Sequence, residues 1–144
     1  MHSAPGAATL TPDQIAALHQ RASEAARNSY SPYSHFRVGA ALLLEDGAIV
    51  AGTNVENASY RLTSCAEQAA IAAAVTLHGP TIRIRAVAVV NLNGAACTPC
   101  GACRQTILEF STPETLIFYP AATGETVQTT LAALLPAAFR LLPD

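Results

Sequence analysis

Apolar and polar positions along this chain follow two periods, and the switches between them mark out the elements. Ile15, Leu18, Ala22 and Ala25 recur at helical spacing, which places them on one stripe and predicts a buried helix face running to about Asn28. Its start is marked by Thr11 as N-cap, Pro12 at the first helical position and Gln14 three residues after the cap, the signature of a capping box. Residues 29–36, with Ser31-Pro32 inside them, read as loop. Residues 38–44 and 48–53 are apolar runs flanking Glu45-Asp46-Gly47, where Asp-Gly supplies the positive φ of a tight hairpin, so two antiparallel strands are expected. Ser64, an Ala-rich stretch to Leu77 and then His78-Gly79-Pro80 predict a second helix with Ser64 as cap and a glycine stop. Residues 82–92 alternate Ile and Arg before turning continuously apolar, the pattern of a strand entering the middle of a sheet. After a turn over residues 93–98, Pro99 opens a third helix to about Phe110. Residues 115–119 and 125–129 are shorter strands, and 130–135 a short helix.

That order predicts an α/β fold: a mixed five-stranded sheet covered by helices on both faces, a three-layer α-β-α sandwich. There is no repeat, no linker and no compositional break, so residues 1–144 read as one domain, with the small, polar residues 1–10 frayed. A chain 51% hydrophobic and 12% charged has an ordinary core. Its eight basic residues are all Arg against ten acidic ones, a formal charge of −2, which is a poor fit to a nucleic-acid binder that neutralises phosphates. The absence of Lys and the 30 alanines are read as compositional bias and carry no function. No signal-peptide pattern or long apolar run occurs, so no membrane partner is expected and the chain reads as cytoplasmic.

The four cysteines change the picture. Three of them, Cys97, Cys100 and Cys103, fall within seven residues, and in a reducing compartment such clustering points to metal or catalysis rather than disulfides. Cys65 and the pair Cys100 and Cys103 each begin a predicted helix, where unpaired N–H groups favour a thiolate. Residues three apart share a helix face, so Cys100 and Cys103 can reach one ion. An isolated Cys-x-x-Cys reads equally well as chance or redox chemistry. Here, however, Cys65-Ala66-Glu67 and Pro99-Cys100-Gly101-Ala102-Cys103 together form the two-part pattern of zinc nucleobase deaminases, with Cys in the place of His in the first half. Cys97 leaves a closed four-cysteine site open as an alternative. Thr98-Pro99 should hold Cys97 in an extended segment off the helix, which makes it a bystander, and an iron–sulfur cluster lacks a fourth Cys downstream. Glu67 has two readings: the partner of Ser64 in a capping box, or, two residues from a ligand, a carboxylate that moves the protons of an activated water. The metal motif favours the second.

The segments YSPYSHFRVGAALL, NVENASY, SCAE, TPCGACRQ and LLPAAF closely resemble the short-chain, homotetrameric-type zinc-dependent cytidine deaminases, over about residues 11–139. The resemblance implies one Zn²⁺ per chain on Cys65, Cys100 and Cys103, Glu67 as proton shuttle, and hydrolytic deamination of cytidine and deoxycytidine to the uridine products. It also implies that Asn54 and Glu56 bind the ribose hydroxyls, that Phe36 packs against the nucleoside and that the Ala66 backbone contacts the pyrimidine. Tyr60 and Phe139 would reach a neighbouring subunit's site in a homotetramer with shared active sites. Spacing agrees for Asn54 and Glu56, which at a strand end can both point to one side while Val55 points into the core. Phe139 reads almost as well as a C-terminal core aromatic. An aminonucleoside deaminase acting on a blasticidin-S-like substrate is the nearest rival, and NVEN read as a ribose clamp argues against it. Editing deaminases acting on nucleic acid usually carry His in the first motif and lack NVEN. Two departures stand out: the family commonly has Pro where this chain has Arg37, and Arg where it has Gln68. Arg104 or the helix N-termini are the candidates to supply the positive charge that Gln68 does not.

Overall fold

The Asp-Gly hairpin is where the architecture begins. β1 (Val38–Leu44) and β2 (Ile49–Thr53) pair antiparallel with Leu43 opposite Ile49, and Gly47 makes the turn at φ 92°, a value that strains a residue with a side chain. The computed structural model describes residues 10–142, so nearly all of the stretch expected to fray lies outside the described residues. β3 (Ile84–Asn91), β4 (Leu116–Pro120) and β5 (Thr126–Thr130) complete one sheet in the order β2-β1-β3-β4-β5. β3 and β4 are parallel and the other pairs antiparallel. The sheet is therefore mixed and five-stranded, with β3 at its centre as its apolar run requires, although the strand starts at Ile84 and leaves Ile82 and Arg83 outside it.

Alternation along the strands feeds two cores. On one face, Leu18 and Ala22 of α1 (Pro12–Ala26) pack with Ala41, Leu43, Ala86, Ala88, Leu116 and Phe118. On the other, Ala40, Leu42, Val87, Val89 and Ile117 meet α2 (Ala66–His78), α3 (Gly101–Leu108) and α4 (Leu131–Leu134) through Ala70, Ala74, Ile107 and Leu131. This is the expected three-layer sandwich. Every residue of β1 is buried, so the strand reads as a continuous apolar run, as a strand covered on both faces must. Among the described residues, no helix is long and apolar enough to cross a membrane.

Helix starts differ from the expectation in an informative way. The Thr11–Gln14 capping box forms in both directions, at 3.0 and 3.1 Å. For α2 the N-cap is Cys65, not Ser64, because Ser64 is committed to a backbone ladder with Val55, 2.9 Å in each direction. For α3 it is Cys100, and Pro99 stands outside the helix. A short 3-10 turn at Tyr60–Leu62 has no periodicity to announce it.

Two glycines set how closely the helices sit on the sheet. A Cβ on Gly39 would lie 1.9 Å from the Ala22 carbonyl oxygen of α1, and one on Gly52 would lie 2.4 Å from the Ala70 nitrogen of α2. Both obstacles are helix backbone and cannot swing aside. Gly39→Ala should therefore destabilise the fold by about 2 kcal/mol or more, through overpacking. Gly101→Ala, where a Cβ meets nothing within 4 Å, should leave the urea midpoint close to wild type. Equal midpoints for the two variants would show that α1 is not packed against Gly39.

Candidate active site

Two helix N-termini meet on one side of the sheet, and each brings thiols. Cys65 caps α2, Cys100 caps α3, and Cys103 sits in the first turn of α3. Their sulfur atoms all lie within 4.8 Å of one another. Neither cap makes a side-chain hydrogen bond to its own helix, so the thiols remain available as ligands while the helix ends offer positive partial charge. Cys103 is buried, Cys65 half-buried and Cys100 exposed. Three sulfurs bonded to one tetrahedral ion at about 2.3 Å stand about 3.8 Å apart, and soft thiolates are the donors that zinc prefers. The residues present fit zinc.

The thiols share protons. The bond to the Cys103 thiol pulls the pKa of Cys65 down to about 7, against burial and the Glu67 charge. The same bond, with burial, pushes Cys103 up. Gln68 donates from Nε2 to the Cys103 sulfur at 3.7 Å, so this side chain supplies a hydrogen bond but no charge. Arg104 does not take over: it donates to the Pro99 carbonyl at 2.7 Å and the Leu134 carbonyl at 2.8 Å, tying the entry of α3 to the end of α4. Cys97 lies outside the sulfur cluster, and burial pushes its thiol up to about 11. It stays a protonated neighbour.

Glu67 is 5% exposed, and its own backbone N–H and the nearby Cys103 thiol favour the charged carboxylate less than burial opposes it. With Cys65 as the cap, the capping box that Ser64 and Glu67 could form is not made. Burial raises the pKa of this carboxyl above the ordinary value, which lets it hold a proton into the range where proton transfer is useful.

A second cluster is built around Asn54 and Glu56. Asn54 is buried; its Oδ1 accepts from Ser29 Oγ at 2.6 Å and the Val38 N–H at 3.1 Å, and its Nδ2 donates to the Phe36 carbonyl at 2.7 Å. Glu56 accepts from the N–H groups of Tyr33 and Ser34 at 2.9 and 3.2 Å and from the Ser34 hydroxyl. Both side chains thus turn to one side, onto the 29–38 loop that carries Phe36. Val55 between them does not enter the core as expected: it is 47% exposed, because its backbone is bridging Tyr30 and Ser64 beyond the end of β2. The alternative reading of Phe139 as a core aromatic fails, since it is 68% exposed. Tyr60 is 74% exposed and stands edge-on to Tyr33 at 6.3 Å. Ser29 and Ser34 were not legible as site residues, because their partners are 25 and 22 positions away.

Residues 12–119 match the family described as the cytidine and deoxycytidylate deaminase zinc-binding region. The chain belongs to that deaminase family. It is 45% identical over 124 residues to a cytidine deaminase of Mycobacterium tuberculosis strain H37Rv, an alignment that covers 86% of this chain and 88% of the relative. It is 41% identical over 122 residues to a cytidine deaminase of Halalkalibacterium halodurans, covering 85% and 91%. Among solved structures, the crystal structure of the cytidine deaminase from Burkholderia pseudomallei superposes with a TM-score of 0.78 at 40% identity, covering 90% of this chain and all of the other. That of the cytidine deaminase from Mycobacterium tuberculosis gives 0.77 at 44%, covering 88% and 98%. These solved deaminases share the fold.

The Glu56 network has a pH signature. The Ser34 hydroxyl holds the Glu56 carboxyl below its ordinary value of 4.5. A depressed folded pKa means that the link is fully present above the unfolded value and is lost as pH falls through the folded one. Ser34→Ala should move the Glu56 titration upward, read from the Tyr33 amide resonance between pH 2 and 6. An unchanged midpoint would show that the hydroxyl is not the main influence on this carboxylate.

Proposed function

We propose that this protein is a zinc-dependent hydrolase that deaminates cytidine and deoxycytidine to uridine and deoxyuridine with release of ammonia. The observation that carries the proposal is the buried Glu67 carboxyl beside three thiols gathered within 4.8 Å. Cys65, Cys100 and Cys103 would hold one zinc ion per chain. The bound zinc supplies a Lewis acid that makes a water nucleophilic near neutral pH. Glu67 would take one proton from the attacking water and deliver it to N3 of the pyrimidine, then pass the proton of the new C4 hydroxyl to the amine, which leaves as ammonia while C4 becomes the carbonyl. Atoms balance: one water is consumed and one ammonia leaves. The raised pKa of Glu67 suits this cycle, because the group must both accept and release a proton.

The nucleoside is positioned by the second cluster. Phe36 packs against it, Asn54 and Glu56 bind the ribose hydroxyls, and the Ala66 backbone contacts the base. Their shared loop supports this reading, since one network ties the Asn54 and Glu56 side chains to the loop backbone that carries Phe36. Tyr60 and Phe139 serve a neighbouring subunit's site in a homotetramer. Their exposure, like that of Tyr30, Tyr33 and Leu62, supports this, as large apolar side chains left in water are candidates for cover by a partner. The protein acts in pyrimidine salvage in the cytoplasm, as a single domain over residues 1–144. A closed four-cysteine module is disfavoured by the protonated, half-buried Cys97, which stands apart from the cluster.

A spectrophotometric assay with cytidine tests the activity: the absorbance change should be present in the zinc-loaded protein and abolished by a chelator. Glu67→Gln keeps the shape but not the base, so zinc should stay and turnover fall roughly 10²-fold or more. Cys97→Ser should retain zinc, whereas Cys100→Ser should lose it. Equal zinc loss in the two cysteine variants, or near-normal turnover of Glu67→Gln, would overturn the assignment.

A further inference from the structure

The turn that follows β3 reaches the loop of Phe36 through one side chain, Asn93, beside the backbone bond from the Leu92 N–H to the Arg37 carbonyl at 3.0 Å. Asn91 prefolds this turn: its Oδ1 accepts from the N–H groups of Asn93 and Ala95 at 3.0 and 3.1 Å, and its Nδ2 donates to the Ala95 carbonyl at 2.7 Å. Gly94, at φ 68°, closes it. Asn93 is thereby presented to a segment nearly sixty residues earlier in the chain. Its Oδ1 accepts from the Arg37 N–H at 2.9 Å and its Nδ2 donates to the His35 carbonyl at 2.9 Å.

Those two backbone groups belong to the two peptide planes on either side of the Phe36 Cα. A single planar amide that grips both planes restricts φ and ψ of Phe36 together, and with them the direction in which its ring leaves the backbone. Asn54, through the Phe36 carbonyl, grips only the second plane. The residue before Phe36 shows that the segment is constrained: His35 sits at φ 59°, in the left-handed region that residues with side chains enter at a cost. Its N–H is tied to the Ser31 carbonyl at 2.9 Å, and its carbonyl is the one Asn93 holds.

Arg37 explains why such a clamp is needed. A proline at this position would restrict Phe36 by sterics alone. Proline has no N–H to offer, but its ring sterically restricts the residue before it to extended conformations. In this chain the steric restriction on Phe36 is absent, and a hydrogen-bonded amide is in its place. We propose that Asn93 is a positioning residue for nucleoside binding, acting through the two peptide planes that flank Phe36 rather than by touching substrate. The proposal rests on the reading that Phe36 faces the nucleoside.

The test measures kcat and KM for cytidine, zinc per chain and Tm in the full-length protein. Phe36→Ala should raise KM, which establishes the underlying reading. Asn93→Ala should raise KM about fivefold, equivalent to about 1 kcal/mol, with kcat within about twofold of wild type and zinc content unchanged. Adding Arg37→Pro to Asn93→Ala should bring KM back toward wild type, because the ring restores by sterics what the amide supplied; a general loss of stability would not be repaired in this way. If Phe36→Ala raises KM and Asn93→Ala does not, the proposal fails while the reading of Phe36 survives. A KM that stays raised in the double variant, or a fall in kcat and zinc together with Tm, also overturns it. An unchanged KM in Phe36→Ala removes the reading itself.

Discussion

Three sulfurs within 4.8 Å of one another are the constraint around which this molecule is arranged. As thiolates they repel one another, and the fold answers by aiming two helix N-termini at the same point. This requires α2 and α3 to keep their places on one face of the sheet. α2 is set by close approach to Gly52, where no side chain stands between helix backbone and strand, and by Ala66, Ala70 and Ala74 in the core. α3 follows the central strand β3 and is tied by Arg104 to the Leu134 carbonyl. Small residues on the sheet thus decide the geometry of large, soft ligands at its edge.

Burial then sorts the polar groups beside the cluster. It raises the pKa of both Glu67 and Cys97, with opposite chemical meanings. For a carboxyl, an upward shift moves the group toward the working range of an acid–base catalyst. For a thiol it moves the group away from the thiolate form that binds metal. One environment therefore makes Glu67 useful and keeps Cys97 inert. The hydrogen bond from Gln68 to Cys103 fits the same scheme, satisfying a sulfur without adding a charge beside Glu67.

Substrate recognition, as proposed, depends on a different physical device. The 29–38 loop has little core of its own and is held by side-chain amides, hydroxyls and a carboxylate. Asn54 and Glu56 commit most of their hydrogen-bonding capacity to that loop. Groups fixed in this way lose little freedom when a ligand arrives, which is the advantage of a preorganised site. The same network explains why Val55 faces outward: with Asn54 and Glu56 both turned toward the loop, the residue between them must point away.

Much of this was legible in the chain itself, and the rest was not, for definite reasons. Periodicity, the Thr11 capping box and the Asp46-Gly47 turn determined the elements because each rests on contacts within a few residues. The Cys65-x-Glu67 and Pro99-Cys100-x-x-Cys103 motifs announced the metal chemistry, since ligand type and spacing on a helix are local properties. Ser64 was misjudged as a cap because its backbone partner Val55 lies across a loop, and no local preference reveals a ladder formed elsewhere. Phe139 was ambiguous because an aromatic near a chain end carries no signal of which side of it is covered. The grip of Asn93 on His35 and Arg37 was invisible for the same reason: its partners are 58 and 56 positions away. The amino-acid sequence by itself determined which elements form and which residues are candidates for the chemistry, because propensity, turn formation and ligand type are short-range. Only the tertiary structure decided which of those residues meet, because convergence of two helix ends and closure of a loop depend on packing between segments that the chain order keeps apart.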